Sequence, residues 1–319
     1  MQIIQNIIYP RPADYAAVKK FSIALTERYP CLSLSSAGRS VLGKELFCLE
    51  LNAGEPFRKR TCNSARSAPL QPAVLYTAGF HAQEWLTGSV LLKFVQELCR
   101  ALETGLPIDG IDPRHIGGNA RLLFIPLVNP DGVDLAINGL EAAKKHRDTV
   151  QKISGGDLSD WNANIRGVDI NHNFNAGWQI LRAKERSLGI TGPSPRRYGG
   201  PCPESEPETR ALTALCRKRN IRHALALHAQ GEEIYWRYGR HTPARARLMA
   251  NVFAAVSEYT LCDPEDIASH GGFKDWFIAR FCRPAFTIEM GKGKNPLPLS
   301  DLEPVYSRIR EMLMLATLM

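Results

Sequence analysis

Apolar residues recur at helical spacing near the start of the chain and again in its later part. Between residues 12 and 28, Tyr15, Val18 and Phe21 fall on one helical face, so we expect a helix that Pro30 ends. The same spacing predicts more helices further on. They are expected directly after Glu84, over residues 205 to 220 and 243 to 259, through Trp276, and from Leu302 onward.

Other segments have strand or loop character. Residues 32 to 36 and 45 to 51 are short apolar runs joined by turn residues, which predicts a hairpin. Residues 53 to 72 are rich in Gly, Pro, Ser and Arg and are predicted to form a surface loop. Residues 129 to 132 read Asn-Pro-Asp-Gly, which predicts a turn, and residues 140 to 165 are polar and irregular.

The remaining strands lie further along the chain, and the buried ones among them are continuous apolar runs, not alternating ones. They are expected at residues 73 to 76, 121 to 127, 224 to 227, 233 to 238 and 284 to 290. Strands of this kind that alternate with helices are typical of an α/β fold with a mostly parallel sheet covered on both faces. We find no internal repeat and no boundary, so the chain is predicted to be one domain spanning residues 1 to 319.

The helix expected over residues 205 to 220 has the clearest start signal. Ser205 is followed three residues later by Glu208, which is the capping-box pattern. We therefore expect Ser205 to cap the helix and Glu208 to reach back to it.

Composition narrows the function only slightly. The formal charge of +8 at pH 7 suits anionic partners, but the basic residues are spread out, so we do not expect nucleic-acid binding. The eight cysteines contain no Cys-x-x-Cys pair, which predicts reduced thiols and excludes a cysteine-zinc site. The start of the chain lacks a signal-peptide pattern and no apolar run is long enough to cross a membrane, so a cytoplasmic protein is expected.

Four residues able to bind metal or transfer protons follow predicted strands. His81 and Glu84 come after the first apolar run, His228 ends a later one, and Glu289 ends another. Ligands of open α/β sheets gather outside the carboxyl ends of the strands, so these side chains are expected to meet. Two histidines and one glutamate are a common ligand set for catalytic zinc.

The chemistry assigns roles to these residues. His81, Glu84 and His228 would hold one Zn²⁺, whose bound water loses a proton readily. Glu289 would take that proton and pass it to the leaving amine. Each residue taken alone has a plainer alternative: His228 as a satisfied core histidine, and Glu289 as a buried charge paired with Lys or Arg.

The strings around these residues resemble the zinc carboxypeptidase family. They run in the family's order across most of the chain: GFHAQEW with two ligands, IPLVNPDGV, RGVDINHNF, SEPET, ALALHAQG with the third ligand, GGFKDW, and FTIEMGKG with the catalytic glutamate. The resemblance implies an eight-stranded mixed sheet between helices, and amide cleavage by a zinc-bound water.

Within this family the chain resembles bacterial peptidases that cut the γ-D-glutamyl-meso-diaminopimelate bond of cell-wall peptides. Digestive members carry Asn-Arg where this chain has Asn171 and His172, so the arginine that grips a C-terminal carboxylate is missing. The mobile tyrosine of those enzymes aligns with Ile267. Both differences argue against ordinary trimming of C-terminal residues.

Three more residues are predicted to serve the reaction. Arg166 is expected to stabilise the oxyanion, with a surface cation as the alternative. Asn171 is expected in the substrate pocket, or else it stabilises a turn. His172 would bind a substrate carboxylate when protonated, or else it is an unpaired surface imidazole.

The resulting hypothesis is a zinc metallopeptidase acting on peptides or muropeptides, at the γ-D-glutamyl-meso-diaminopimelate bond. The alternatives are a carboxypeptidase of ordinary L-peptides, a non-catalytic wall-peptide binding module, and a small-molecule zinc amidohydrolase. The binding module is disfavoured because all three ligands and Glu289 are present in the sequence.

Overall fold

The computed structural model describes residues 11–52, 71–116, 121–263 and 269–319. Eight strands within these ranges form one sheet. In chain order they are β1 (Leu32–Arg39), β2 (Glu45–Asn52), β3 (Ala73–Ala78), β4 (Arg121–Ile125), β5 (Ile221–His228), β6 (Glu233–Tyr235), β7 (Thr260–Cys262) and β8 (Ala285–Glu289). Most of the predicted loop at 53 to 72, together with Ile267, lies outside the described residues.

The sheet is mixed, as expected. Its strand order is β1-β2-β4-β3-β5-β8-β6-β7. The predicted hairpin is confirmed, because β1 and β2 pair antiparallel. Strands β4, β3, β5 and β8 are mutually parallel neighbours in the centre, and β6 runs antiparallel to β8. The parallel strands therefore bring their carboxyl ends to one edge.

Nine α-helices lie in the described part of the chain. They are α1 (Tyr15–Arg28), α2 (Trp85–Thr104), α3 (Pro130–Asn138), α4 (Arg147–Ser154), α5 (Trp178–Ser187), α6 (Pro207–Lys218), α7 (Ala244–Ser257), α8 (Phe273–Phe281) and α9 (Leu302–Leu318). Helices α1, α2, α7 and α9 contribute to the core on one face of the sheet. Helices α6 and α8 contribute to the core on the other face. Both faces are covered, as expected for continuous apolar strands.

Side-chain alternation decides which groups face the site. In β5, Leu225 and Leu227 pack with α2 and α9, whereas Ala224 and Ala226 pack with α6 and α8. Because successive side chains of a strand point to opposite faces, His228 lies on the same face as the two alanines. The α6 and α8 side of the sheet therefore carries the polar groups at its carboxyl edge.

The prediction of a turn at residues 129 to 132 was wrong, because a helix begins there. The side chain of Asn129 accepts a hydrogen bond from Gly132 N at 3.0 Å and caps α3. Pro130 occupies the first helical position, where its missing N–H costs nothing. The same residue types that favour a turn also favour a helix start.

The capping-box prediction was also wrong. Glu206 occupies the position before α6, and no side chain caps that end. The Ser205 hydroxyl donates to Glu206 Oε1 at 2.9 Å, and Glu208 accepts from the distant Val41 N at 3.1 Å. The adjacent carboxylate and a distant backbone N–H have replaced the two contacts of the capping box.

Some elements of the described chain were not predicted from the sequence. The segment 140 to 165, expected to be irregular, contains α4, and neither α5 nor β7 was predicted. Seven cysteines lie in the described residues and all are free thiols, as predicted. None of the described helices is both long and apolar enough to cross a membrane.

Candidate metal centre and active site

The three predicted metal ligands converge at the carboxyl edge of the sheet. One ligand atom from each of His81, Glu84 and His228 lies within 4.8 Å of the other two. The Glu84 carboxylate stands between the two rings: Oε1 is 2.8 Å from His81 Nδ1 and Oε2 is 3.0 Å from His228 Nδ1. All three residues present an N or O atom to one point.

The local chain explains this convergence. After β3 ends, Gly79 adopts a positive φ of 65°, and a Cβ there would lie 2.8 Å from Leu127 Cδ1. The chain therefore turns tightly at a position that favours glycine. The Thr87 hydroxyl accepts from Gly79 N at 2.9 Å and donates to Glu84 O at 2.7 Å, which fixes the segment carrying the first two ligands.

The third ligand is held by stacking. His228 is the last residue of β5 and is fully buried. The Phe80 ring lies parallel to its imidazole, with 5.1 Å between centroids and 19° between planes. This contact sets the orientation of the ring that faces Glu84.

Asp169 lies against a predicted metal ligand, and sequence reasoning missed it. Its Oδ1 lies 3.1 Å from His81 Nε2, and its carboxylate also accepts from Asn171 N at 3.1 Å and Arg197 N at 3.0 Å. A carboxylate behind a metal-binding histidine fixes the tautomer and the ring orientation. The available signal was its place in RGVDINHNF, but the contact with His81 depends on tertiary structure.

The donor set fits zinc. Asp169 Oδ1 lies 3.1 Å from His81 Nε2, so in a neutral ring with its proton on Nε2 the Nδ1 lone pair would face Glu84 Oε1 at 2.8 Å. Two acceptors at that distance require a proton or a cation between them. The His228 ring has no partner for Nε2 among the described residues, so its polar contact is on the Nδ1 side. Two imidazole nitrogens and a carboxylate oxygen suit zinc.

The electrostatics of the ligands follow from their mutual contacts. Burial by itself raises the pKa of Glu84, but the imidazoles of His81 and His228 outweigh it and lower that pKa to about 2. Burial lowers the pKa of His81, yet the carboxylates of Glu84 and Asp169 raise it well above the ordinary value. The pKa of Asp169 is lowered despite burial, first by His172 and then by His81. The centre thus favours anionic carboxylates and positive charge between them.

Glu289 lies beside the three ligand residues. It is the last residue of β8 and pairs in register with His228, so both side chains lie on one face of the sheet. The described groups that act on its charge are Glu84, His81 and Glu233, with no Lys or Arg among them, which removes the alternative of a buried charge paired with Lys or Arg. Burial and the nearby carboxylates of Glu84 and Glu233 raise its pKa well above the ordinary value, against the lowering effect of His81. A raised pKa is typical of a carboxylate that moves protons.

Asn171 and His172 are both held by polar contacts. Asn171 Oδ1 accepts from Phe273 N at 3.0 Å, which ties its segment to the start of α8. His172 Nδ1 donates to Arg197 O at 2.9 Å and lies 3.5 Å from Glu185 Oε1. His172 is therefore not an unpaired surface imidazole.

The Arg166 side chain points to the Glu206 carboxylate and not to the carboxylates of the candidate metal centre. Its Nη1 lies 3.6 Å from Glu206 Oε2, and 48% of the side chain is exposed. Its backbone N donates to Asn164 Oδ1 at 2.9 Å. Its described contacts do not include His81, Glu84, His228 or Glu289.

Known proteins identify the fold and the family. The sequence pattern of the family described as zinc carboxypeptidase matches residues 18–311. The crystal structure of thrombin activatable fibrinolysis inhibitor matches with a TM-score of 0.71 at 21% identity, covering 99% of this chain and 76% of that one. At that identity the likeness shows the fold.

Two bacterial proteins are similar in sequence along most of the chain. The γ-D-glutamyl-L-diamino acid endopeptidase 1 of Lysinibacillus sphaericus is 35% identical over 296 residues, covering 92% of this chain and 69% of that protein. The uncharacterised protein YqgT of Bacillus subtilis is 36% identical over 296 residues, covering 92% of this chain and 74% of that protein. With the family pattern, the shared fold and the His-Glu-His cluster in place, this chain belongs to the zinc carboxypeptidase family and is a metallopeptidase.

Proposed function

We propose that this peptidase hydrolyses the amide bond between the γ-carboxyl group of D-glutamate and a diamino acid, meso-diaminopimelate, in cell-wall peptides. The observation that carries the proposal is the 35% identity, over 92% of the chain, to an enzyme named for the γ-D-glutamyl-L-diamino acid bond. The missing arginine at His172 supports it, because enzymes that trim C-terminal residues use that side chain to grip a terminal carboxylate.

In the proposed reaction His81, Glu84 and His228 hold one zinc ion per chain, and Asp169 keeps the His81 ring in the tautomer that leaves Nδ1 free. Zinc, when bound, supplies a positive charge that makes water more acidic and polarises a carbonyl group. Glu289 accepts a proton from the attacking water as the C–O bond forms. It then gives that proton to the amide nitrogen as the C–N bond breaks, which releases a carboxylate and an amine.

Three further roles complete the proposal. Asn171 would line the substrate pocket, and His172 would bind a substrate carboxylate through its Nε2 face, since Nδ1 is engaged by Arg197 O. Arg166 would donate to the oxyanion, which requires its guanidinium to leave Glu206; the half-exposed side chain has room to do so. Loss of an oxyanion donor lowers kcat about 10²–10³-fold, so Arg166→Ala tests this assignment through kcat.

The decisive experiment supplies the zinc-loaded enzyme with L-Ala-γ-D-Glu-meso-diaminopimelate. Mass spectrometry should detect free diaminopimelate and the dipeptide L-Ala-D-Glu. The matched control is Glu289→Gln at the same zinc content. Absence of release by the zinc-loaded wild type overturns the proposed substrate, and release of C-terminal residues from ordinary L-peptides instead identifies a carboxypeptidase.

A further inference from the structure

A second carboxylate lies next to the predicted catalytic glutamate. Strand β6 pairs with β8 in the register Glu233↔Glu289 and Ile234↔Ile288. Both isoleucines are buried in the core on the α2 and α9 side, so Glu233 and Glu289 share the opposite face. His228 is the register partner of Glu289 on its other side. One row across three neighbouring strands therefore carries Glu233, Glu289 and His228.

The spacing of this row follows from sheet geometry. Neighbouring strands lie about 4.8 Å apart, so Glu233 is about 5 Å from Glu289 and about 10 Å from His228, measured across the sheet. A Cβ added to Gly231 would lie 3.4 Å from both the Glu233 carboxyl carbon and Glu289 Cβ. The backbone before β6 therefore packs directly against both glutamates.

A hydrogen bond holds the Glu233 side chain in place, but no described cation pairs with it. It is half-buried, and its Oε2 accepts a hydrogen bond from the Tyr235 hydroxyl at 2.6 Å. Among the described residues it forms no ion pair with Lys, Arg or His. Its neighbour Glu232, by contrast, pairs with Lys292 Nζ at 2.9 Å. An oriented carboxylate without a cation, beside a second carboxylate, favours a positively charged ligand group.

The proposed substrate carries such a group. A diamino acid such as diaminopimelate holds its second ammonium four carbon–carbon bonds further along than the scissile nitrogen, which is long enough to span the roughly 5 Å between neighbouring strands. We infer that Glu233 is a specificity-determining residue that binds the distal ammonium of the diamino acid on the leaving side of the scissile bond, with Tyr235 holding its carboxylate in position. This inference rests on the proposed function and adds the residue that selects diamino acids.

The test compares two substrates that differ by one amine. They are L-Ala-γ-D-Glu-meso-diaminopimelate and the same peptide ending in 2-aminopimelate, which keeps the distal carboxylate and lacks the distal ammonium. A hydrogen bond to a charged group favours the first substrate by about 10- to 100-fold in kcat/KM. In Glu233→Gln this preference disappears, through a higher KM for the diamino substrate with little change in kcat.

A binding measurement accompanies the kinetics. Calorimetric titration with free meso-diaminopimelate should give a Kd that rises about 10-fold or more in Glu233→Gln, while the Kd for 2-aminopimelate stays unchanged. The matched control is Glu232→Gln, one residue away and paired outside the row, which keeps the wild-type preference. Equal zinc content in all three proteins shows that the metal centre is intact.

The outcomes separate this inference from the proposed function. Wild-type enzyme that cleaves neither substrate overturns both. Wild-type enzyme that cleaves both substrates equally well leaves the proposed function standing and overturns the role of Glu233. A Glu233→Gln variant that loses the same factor on both substrates also overturns it, because Glu233 then acts only through Glu289.

Discussion

The protein buries two groups of carboxylates, and they behave in opposite ways. At the candidate metal centre, Glu84 and Asp169 are each 4% exposed, and their pKa values are lowered because imidazoles lie against them. In the first turn of α6, Glu208 is 0% exposed, and its pKa is raised to about 8, first by burial and then by Asp131 and Glu206. Similar burial thus gives opposite charge preferences.

The difference lies in the partners. Glu208 accepts from Val41 N at 3.1 Å, and the Asn164 amide lies 3.5 Å from its other oxygen; neither group carries charge. Two cations border this group, Lys44 at 3.2 Å from Asp131 and Arg166 at 3.6 Å from Glu206, and neither forms a described ion pair with Glu208. These contacts join the turn after β1 to α3 and α6. The carboxylates of this group therefore stabilise the fold. Only the group surrounded by ring nitrogens is arranged to receive a cation.

The largest expected effect is on kcat, and it distinguishes Glu289 from Glu208, two glutamates whose pKa values are both raised. Glu289→Gln should lower kcat about 10²–10⁴-fold, because proton transfer is lost, with zinc content unchanged. Glu208→Gln, the matched control, should stay within about 3-fold of wild type. Turnover of both variants on one substrate measures this, and a fully active Glu289→Gln enzyme removes the base assignment.

The next effect concerns the carboxylate behind His81. Asp169→Asn keeps the shape of the side chain but weakens its hold on the tautomer, so zinc affinity should fall about 10- to 100-fold. Competition with a chelator measures it. An unchanged affinity would mean that Asp169 only supports the backbone of the Asn171 and Arg197 segments.

The carboxylate group around Glu208 should affect the free energy of unfolding and not the enzyme activity. The folded-state pKa of Glu208 is raised to about 8, so its contribution is fully present below the unfolded pKa and is lost as pH rises through about 8. As pH rises from the unfolded pKa of the Glu208 carboxyl group to about 8, wild type should therefore lose on the order of 2–5 kcal/mol of unfolding free energy relative to Glu208→Gln. Urea denaturation at pH 5 and pH 9 checks this, and parallel curves for the two proteins contradict it.

The smallest expected effect is on the acid limb of the plot of kcat/KM against pH. A base must be deprotonated, and the pKa of Glu289 is raised, so kcat/KM should fall, as pH decreases, at a pH above the ordinary Glu value of about 4.3. Glu233→Gln removes one of the carboxylates that raise this pKa and should move the limb to lower pH. Profiles of kcat/KM on the 2-aminopimelate peptide, which lacks the distal amine, test the shift.

Sequence reasoning succeeded where local pattern and chemistry point the same way. Apolar runs ended by His228 and Glu289 predicted strands whose last residues meet, and the fold places both residues at one edge of the sheet. It missed Asp169, because that residue acts through a ring 88 positions away in the chain. It misjudged Ser205 and Glu208, because the adjacent Glu206 carboxylate accepts from the Ser205 hydroxyl and the distant Val41 N–H donates to Glu208.

The proposed reaction depends on three side chains that bind one ion. The most direct measurement is metal content by mass spectrometry of wild type and His228→Ala, each dialysed against trace zinc. One zinc ion per chain in wild type and a large loss in the variant are expected, because a three-ligand site does not survive on two. Equal zinc in both proteins would contradict the assignment of His81, Glu84 and His228 as the metal centre.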